Sequence, residues 1–229
     1  MSCIAIIPAR GGSKRIPRKN IKDFLGKPII AYSIEIALKS NLFDEVMVST
    51  DDEEIANVAK QYGATVPFFR SNANANDFAT LADVLIEVVQ SYQKIGKSIN
   101  ALCCILPTAP LTSSERVCES YTTFSEKNYD SICPVVEYSY PIQRALEINI
   151  NNRLRMIHPE NLTKRSQDLS ASYHDSGSFY WVNSKALIEE QSLFCKNGGA
   201  VVIPELEVQD IDTETDWRLA ELKYSLLHE

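Results

Sequence analysis

No stretch of this chain approaches the ~18 consecutive apolar residues that a bilayer-spanning helix requires, so no membrane span is expected. The N-terminus also lacks the charged start and long apolar run of a secretory signal, because Met1 leads directly into CIAIIP. Cysteine is sparse: six residues, none in a C-x-x-C pair and none grouped with histidine at zinc spacing. That excludes a zinc ribbon or finger. Cys3, Cys103, Cys104 and Cys133 stand in or beside apolar strand-like runs, and are expected to be small, reduced core residues of a cytoplasmic protein. Excess positive charge is missing as well. A net charge of -7 repels polyphosphate backbones and anionic membranes at long range, so neither nucleic acid nor membrane is expected as a partner. Internal repeats and low-complexity segments are absent.

What is present is ordinary globular material. A hydrophobic fraction of 45% over 229 residues supplies a sizeable core, enough for one domain with a modest insertion. The first two-thirds alternates apolar strand-like runs with helix-like ones. CIAIIP, EVMVST, ATVPFF, ALCCIL and DSICPVV read as strands. Between them lie amphipathic stretches from Pro28, from Asp51 or Asp52 to Gly63, from Leu81 to Tyr92 and from Glu115 to Glu126. Apolar strands joined through helices imply a mainly parallel sheet with helices on both faces, and ligands beyond the carboxyl ends of its strands. From about residue 137 to 178 the pattern changes. ALEINI and RLRMIH suggest a hairpin around Asn151-Asn152, followed by a long polar stretch. This is an insertion, expected to cap the site, contact a second copy, or do both. FYWV and AVVIP then resume the sheet, and Thr213 to Leu227 closes the chain as a helix.

The strongest chemical signal is IPARGGSKRIPRKNI. From Arg10 to Lys22 there are six basic residues and no acidic one, inside an acidic chain. Gly11 and Gly12 follow directly on a buried strand, where backbone amides can approach a phosphate closely. With Arg10, Lys14, Arg15 and Lys19 the loop offers both amide donors and cations, as a phosphate cradle needs. It is neither a G-x-x-x-x-G-K-[ST] loop nor a G-x-G-x-x-G turn. The alternative is a merely solvated basic loop. A second signal is VQDIDTETD. If extended, it turns the carboxylates of Asp210 and Asp212 to one face, where magnesium could be held with phosphate oxygens and water. Spacing alone leaves open a plain helix-capping role for either aspartate.

Taken with the ILPTAPL run from Ile105 to Leu111, these two motifs resemble the CMP-sialic-acid synthetases, or acylneuraminate cytidylyltransferases, along essentially the whole chain. YPIQRAL, RSQDL and YHDSGSFYW resemble the pseudaminic acid cytidylyltransferase branch in particular. The resemblance implies a single Rossmann-like, GT-A-like nucleotidyltransferase domain of three layers with an inserted dimerisation segment, and a homodimer. It implies Mg²⁺ on Asp210 and Asp212, and places Lys14 and Lys19 beside them as catalytic residues. Arg10, Ser13, Lys14, Lys19 and Asn20 match positions that hold the triphosphate and nucleotide, in a loop completed by Ala9, Gly11 and Gly12. Arg70 matches an arginine associated with cytidine binding, and Asp77 and Thr80 line the same pocket.

The implied reaction moves CMP from CTP to the anomeric hydroxyl of a nine-carbon nonulosonic acid, releasing pyrophosphate. On the sugar side the sequence departs from N-acetylneuraminate enzymes. Leu106 replaces a usual glutamine, Asp175 a frequent asparagine, and Gln143 or Arg144 a lysine. These departures argue against N-acetylneuraminate as the preferred substrate; with the branch resemblance they leave pseudaminic acid first and legionaminate or an eight-carbon ulosonate as alternatives. Arg165 or Arg144 is expected to anchor the sugar carboxylate. The proton of the attacking hydroxyl would go to a metal-bound hydroxide or else to His174, which is otherwise a sugar contact. A catalytically silent nucleotide-binding protein on the same fold would be expected to have lost the basic loop or the aspartates; both are here.

Overall fold

The computed structural model describes residues 2–228. One seven-stranded sheet carries the fold. Its backbone is β1 (Cys3–Pro8), β4 (Glu45–Ser49), β5 (Ala101–Ile105), β6 (Ser131–Glu137), β10 (Phe179–Asn183) and β11 (Gly198–Val202), in the order β11-β6-β10-β5-β1-β4, with β9 (Tyr173–Asp175) also paired to β6. Two small ladders stand apart: β2 (Asp23–Phe24) with β3 (Lys27–Pro28), and β7 (Leu146–Ile148) with β8 (Leu154–Met156). The second is the hairpin expected around Asn151-Asn152, and Asn152 takes the left-handed turn at φ 57°.

Strand alternation sorts the core into two layers. Cys3, Ala5 and Ile7 of β1 point to one face. They pack there with Ile30 and Ile34 of α1 (Ile29–Ser40), Ile55 of α2 (Glu53–Gln61), and Val117 and Phe124 of α4 (Ser114–Glu126). Ile4 and Ile6 point the other way, to Leu85 and Val88 of α3 (Leu81–Lys94) and Leu187 of α5 (Ser184–Glu190). At about 1.5–3 kcal/mol for each fully buried aliphatic side chain, this two-sided packing holds the three layers together. The six cysteines are free thiols, five of them buried.

The sheet is mixed. The pairs β1–β4, β1–β5 and β6–β11 are parallel as expected, but β10 runs antiparallel to both β5 and β6, and β9 antiparallel to β6. The cause lies in the insertion. The chain leaves β6 at its carboxyl end, forms residues 138–172 there, and must re-enter from that same edge. The run ATVPFF also departs from expectation. Only Thr65 bridges to Met47, through its N–H to Val46 (2.8 Å) and its carbonyl to Val48 (2.9 Å). Pro67 has no N–H to prolong the ladder. The segment therefore peels away and delivers Arg70, whose amide bonds Thr50.

A third, small core joins the basic loop to the last helix. Ile16 of the basic loop, Phe24, Ile29 and Tyr32 close around Ile211, Trp217 and Ala220; the last two belong to α6 (Glu214–Leu227). Phe24 meets Tyr32 and Trp217 edge-on at 5.3 and 5.6 Å. Ile211 is the residue between the two aspartates, so burying it against Ile16 fixes the acidic pair beside the basic loop.

Candidate functional site

The basic loop begins where β1 ends, at the carboxyl edge of the sheet. Several contacts give it a defined shape. Asn20, almost fully buried, donates to the Arg10 carbonyl at 2.9 Å. The Gly11 amide donates to Asp51 at 3.0 Å, so this amide is held by protein rather than offered to a phosphate. A Cβ on Gly11 would lie 2.7 Å from an Asp52 carboxylate oxygen, which is why glycine is needed there. Arg18, in the left-handed region at φ 55°, forks onto Asp52 at 2.5 and 3.0 Å and also pairs with Glu54. Asp52 is in turn the N-cap of α2, accepting from the Ile55 amide at 3.0 Å. The Arg18 hydrogen bonds hold its carboxyl at about 2, below the usual range.

Inside this frame, Pro8, Arg10, Ser13, Lys14, Arg15, Ile16, Lys19 and Asn20 line a cavity of about 180 Å³, closed on one side by Pro107 and Thr108 after β5. Five residues expected for nucleotide binding thus share one wall. Sequence reasoning named Arg15 as a cation of the loop but gave Pro107 and Thr108 no role beyond the ILPTAPL run; their signal was the position of the β5 loop at the carboxyl edge.

The acidic pair meets this wall. Arg15 lies 2.5 Å from an Asp212 oxygen, and Lys19 lies 3.7 Å from the other while donating to the Ile211 carbonyl at 2.5 Å. Burial pulls the Lys19 ammonium down, against the carboxylates of Asp212 and Asp210 that hold it up. Burial, and then the charge of Asp212, raise the Asp210 carboxyl. Asp210 has no cation at salt-bridge distance among the described residues. Two neighbouring carboxylates, one of them uncompensated, make a hard-oxygen donor set that suits a divalent cation completed by phosphate oxygens and water. Among the described residues no group of three or more histidine, cysteine or acidic side chains could hold a metal. The residues present therefore fit Mg²⁺ only together with a phosphate-bearing ligand.

Arg70 is 8% exposed and bonds Ser49 through Nε (3.1 Å to Oγ) and Nη2 (2.5 Å to the carbonyl). Among the described residues it has no carboxylate within salt-bridge distance, and burial lowers its guanidinium. Asp77 receives Arg10 at 2.7 Å and Lys14 at 2.5 Å, and these two, Lys14 first, hold its carboxyl below the usual range. Thr80 caps α3 in a reciprocal box with Asp83.

The residues expected on the sugar side fall elsewhere. Leu106 follows β5, its amide bonded to the Ser178 carbonyl and its carbonyl to Ser33, next to Pro107. Gln143, Arg144, Arg165, His174 and Asp175 belong to the insertion and its return, and none lines the basic cavity. Gln143 donates to the Ser170 carbonyl at 2.9 Å, and its buried Oε1 has no partner. Arg144 reaches Ser166 at 3.5 Å; Arg165 pairs with Asp168 at 2.8 Å. His174 contacts the Asp175 carbonyl through Nδ1 and packs against Tyr138. Asp175 accepts from Tyr180 Oη (2.7 Å) and the Gly177 amide (2.9 Å), and so pins the step between β9 and β10.

A larger groove of about 480 Å³ lies between α1, α4 and α6. Its cations Lys27, Lys39 and Arg116 are already paired with Glu35, Glu115 and Glu207, so it offers no unspent charge to an anion.

Residues 4–201 match the family described as Cytidylyltransferase. The chain is 44% identical over 229 residues to the pseudaminic acid cytidylyltransferase of Campylobacter jejuni subsp. jejuni serotype O:2, covering 100% of this chain and 99% of the relative. It is 32% identical to the CMP-N,N'-diacetyllegionaminic acid synthase of Legionella pneumophila subsp. pneumophila, over 96% of this chain and 95% of that one. Among solved structures, a CMP:2-keto-3-deoxy-manno-octonic acid synthetase complexed with CTP superposes with a TM-score of 0.71 at 17% identity, covering 100% and 99% of the two chains. That likeness fixes the fold.

Proposed function

This chain belongs to the cytidylyltransferase family, and we propose that it transfers CMP from CTP to the anomeric hydroxyl of a nonulosonic acid, pseudaminic acid foremost. One observation carries the reading. The basic loop and the aspartates, separated by nearly the whole chain, meet at Arg15, Lys19 and Asp212 on the carboxyl edge of the sheet. The full-length 44% identity to a pseudaminic acid enzyme supports the sugar.

In this reading Arg10, Ser13, Lys14, Lys19 and Asn20, with the Ala9–Gly12 backbone, receive the triphosphate, and Arg70 lies toward the cytidine with the segment of Asp77 and Thr80. Asp210 and Asp212 would hold Mg²⁺, which when bound supplies counter-charge to the phosphates. The sugar hydroxyl gives up its proton, with His174 one candidate to receive it, and attacks the α-phosphorus; a new oxygen–phosphorus bond forms as the bond to the β-phosphate oxygen breaks, releasing pyrophosphate. Lys14 and Lys19 stabilise the charge that builds on the departing group. Leu106 lies at the sugar side of the β5 loop.

The insertion, about 137–178, serves as cap and dimerisation segment of a single domain. Its apolar side chains support this: Tyr140 is 86% exposed, Ile148 67%, and Ile150 fully so. A homodimer would cover them and carry Gln143, Arg144, Arg165, His174 and Asp175 toward a sugar site.

Pyrophosphate release from CTP and Mg²⁺ tests the proposal, with pseudaminic acid and N-acetylneuraminic acid offered in parallel. Release with pseudaminic acid, falling at least a hundredfold in kcat for Asp210→Asn, is the expected result. Release mainly with N-acetylneuraminic acid would overturn the sugar assignment, and no release with these two, legionaminic acid or an eight-carbon ulosonic acid would overturn the activity.

A further inference from the structure

The cations expected to greet the triphosphate are not free in this protein. Asp77 places one carboxylate oxygen 2.7 Å from Arg10 Nη1 and the other 2.5 Å from Lys14 Nζ. Arg10 also donates to the Asn76 carbonyl at 3.2 Å. A single anionic centre thus spans two cations of the cavity with two oxygens, as one phosphate group of a nucleotide would. Arg10 and Lys14 also line the cavity of about 180 Å³ at the end of β1, so the carboxylate holds two of its cations.

The segment that carries Asp77 is built to be moved. Asn76 folds it into a local turn, its side chain accepting from the Phe78 and Ala79 amides at 2.7 and 3.0 Å. Next to Asp77, Phe78 is 93% exposed. Both ends are anchored. Ser71 and Asn74 are tied to Glu87 of α3, and Thr80 is locked in the helix cap. Between these anchors, the side-chain hydrogen bonds from the loop to the turn among the described residues come from Arg10 and Lys14. Both ion pairs face water, with Lys14 77% exposed, so a more highly charged anion displaces the carboxylate readily.

We propose that Asp77 is a built-in stand-in for a phosphate, occupying Arg10 and Lys14 in the free protein and yielding them to a polyphosphate. This rests on the reading of Arg10 and Lys14 as phosphate ligands. Asp77 keeps two like charges apart-held and neutralised while the site is empty, and it sets nucleotide affinity by competition. Groups without phosphate do not have to displace it. It is therefore an affinity-setting residue rather than a direct ligand of CTP.

Calorimetric titration of the full-length protein tests this, with CTP, inorganic pyrophosphate and cytidine as probes. Asp77→Asn, which keeps the shape and removes the charge, is expected to tighten CTP and pyrophosphate three- to tenfold and to change cytidine binding less than either. Asp77→Ala should act in the same direction, which guards against an effect peculiar to the amide. Weaker or unchanged pyrophosphate binding in both variants would overturn the proposal. Arg10→Ala and Lys14→Ala separate the two levels of the argument. If these variants bind pyrophosphate as the unaltered protein does, the cradle itself is misassigned. If they weaken it while Asp77→Asn fails to tighten it, only the stand-in role falls.

Discussion

Arg18 shows how a single residue holds a functional loop in place. A left-handed backbone is costly for a non-glycine residue, and here it is offset by three carboxylate contacts, to Asp52 twice and to Glu54. Because the Asp52 carboxyl lies at about 2 when folded and near its ordinary value of ~3.9 when unfolded, the pair stabilises the protein above the unfolded value. That contribution is lost as pH falls from about 4 through 2. Arg18→Gln should therefore cost about 1 kcal/mol at neutral pH, with screening at this half-exposed site taken into account, and should flatten the loss of stability between pH 4 and 2. Urea melts at a series of pH values read both effects. The sequence showed Arg18 only as one more charge in a basic run. Its partners come from α2, and the φ value that makes it unusual has no signature in residue type.

At the scale of elements, most of the architecture was legible. The helices began at Asp52, Thr80, Ser113 and Thr213, each of which accepts from an amide in the first turn. Two elements were not legible. ATVPFF has strand composition but contains a proline that ends its ladder after one bridge. FYWV reads as another buried strand, and nothing in an apolar run tells its direction; β10 is reversed because the insertion returns the chain to the edge it left. Thr80, expected in the nucleotide pocket, does its visible work as a cap. Thr80→Ala should lower stability by about 1 kcal/mol, and Thr80→Ser should restore most of it, as measured by thermal or urea denaturation. A large rise in CTP KM for the serine variant would instead assign the threonine methyl a place against the nucleotide.

On the scale of the whole molecule, two regions carry different physics. The body of the domain buries its apolar residues on both sheet faces, whereas the hairpin of the insertion leaves Leu146, Ile148, Ile150 and Leu154 in water. A monomer gains nothing from that exposure, and a second copy would cover it. The proposed homodimer makes Ile148→Asp combined with Ile150→Asp a test: sedimentation should find the unaltered chain as a dimer and the double variant as a monomer, with the helical signal unchanged. A parallel loss of pyrophosphate release would place the insertion in catalysis. Sedimentation of the unaltered chain as a monomer would count against the dimer.

The sequence by itself determined the reaction class and the layered fold, because both are written in local patterns: apolar runs of strand length, caps at helix starts, a glycine-basic loop after a buried strand, and a pair of aspartates two residues apart. Tertiary structure alone decided which of these patterns meet. Ile16 and Ile211 enter one small core, so Arg15 and Lys19 come to face Asp212 across almost two hundred residues of chain. Likewise, only the fold brings Asp77 onto Arg10 and Lys14. Charge pairing between distant segments depends on distances in space, and a linear sequence contains those distances only after its apolar residues have packed.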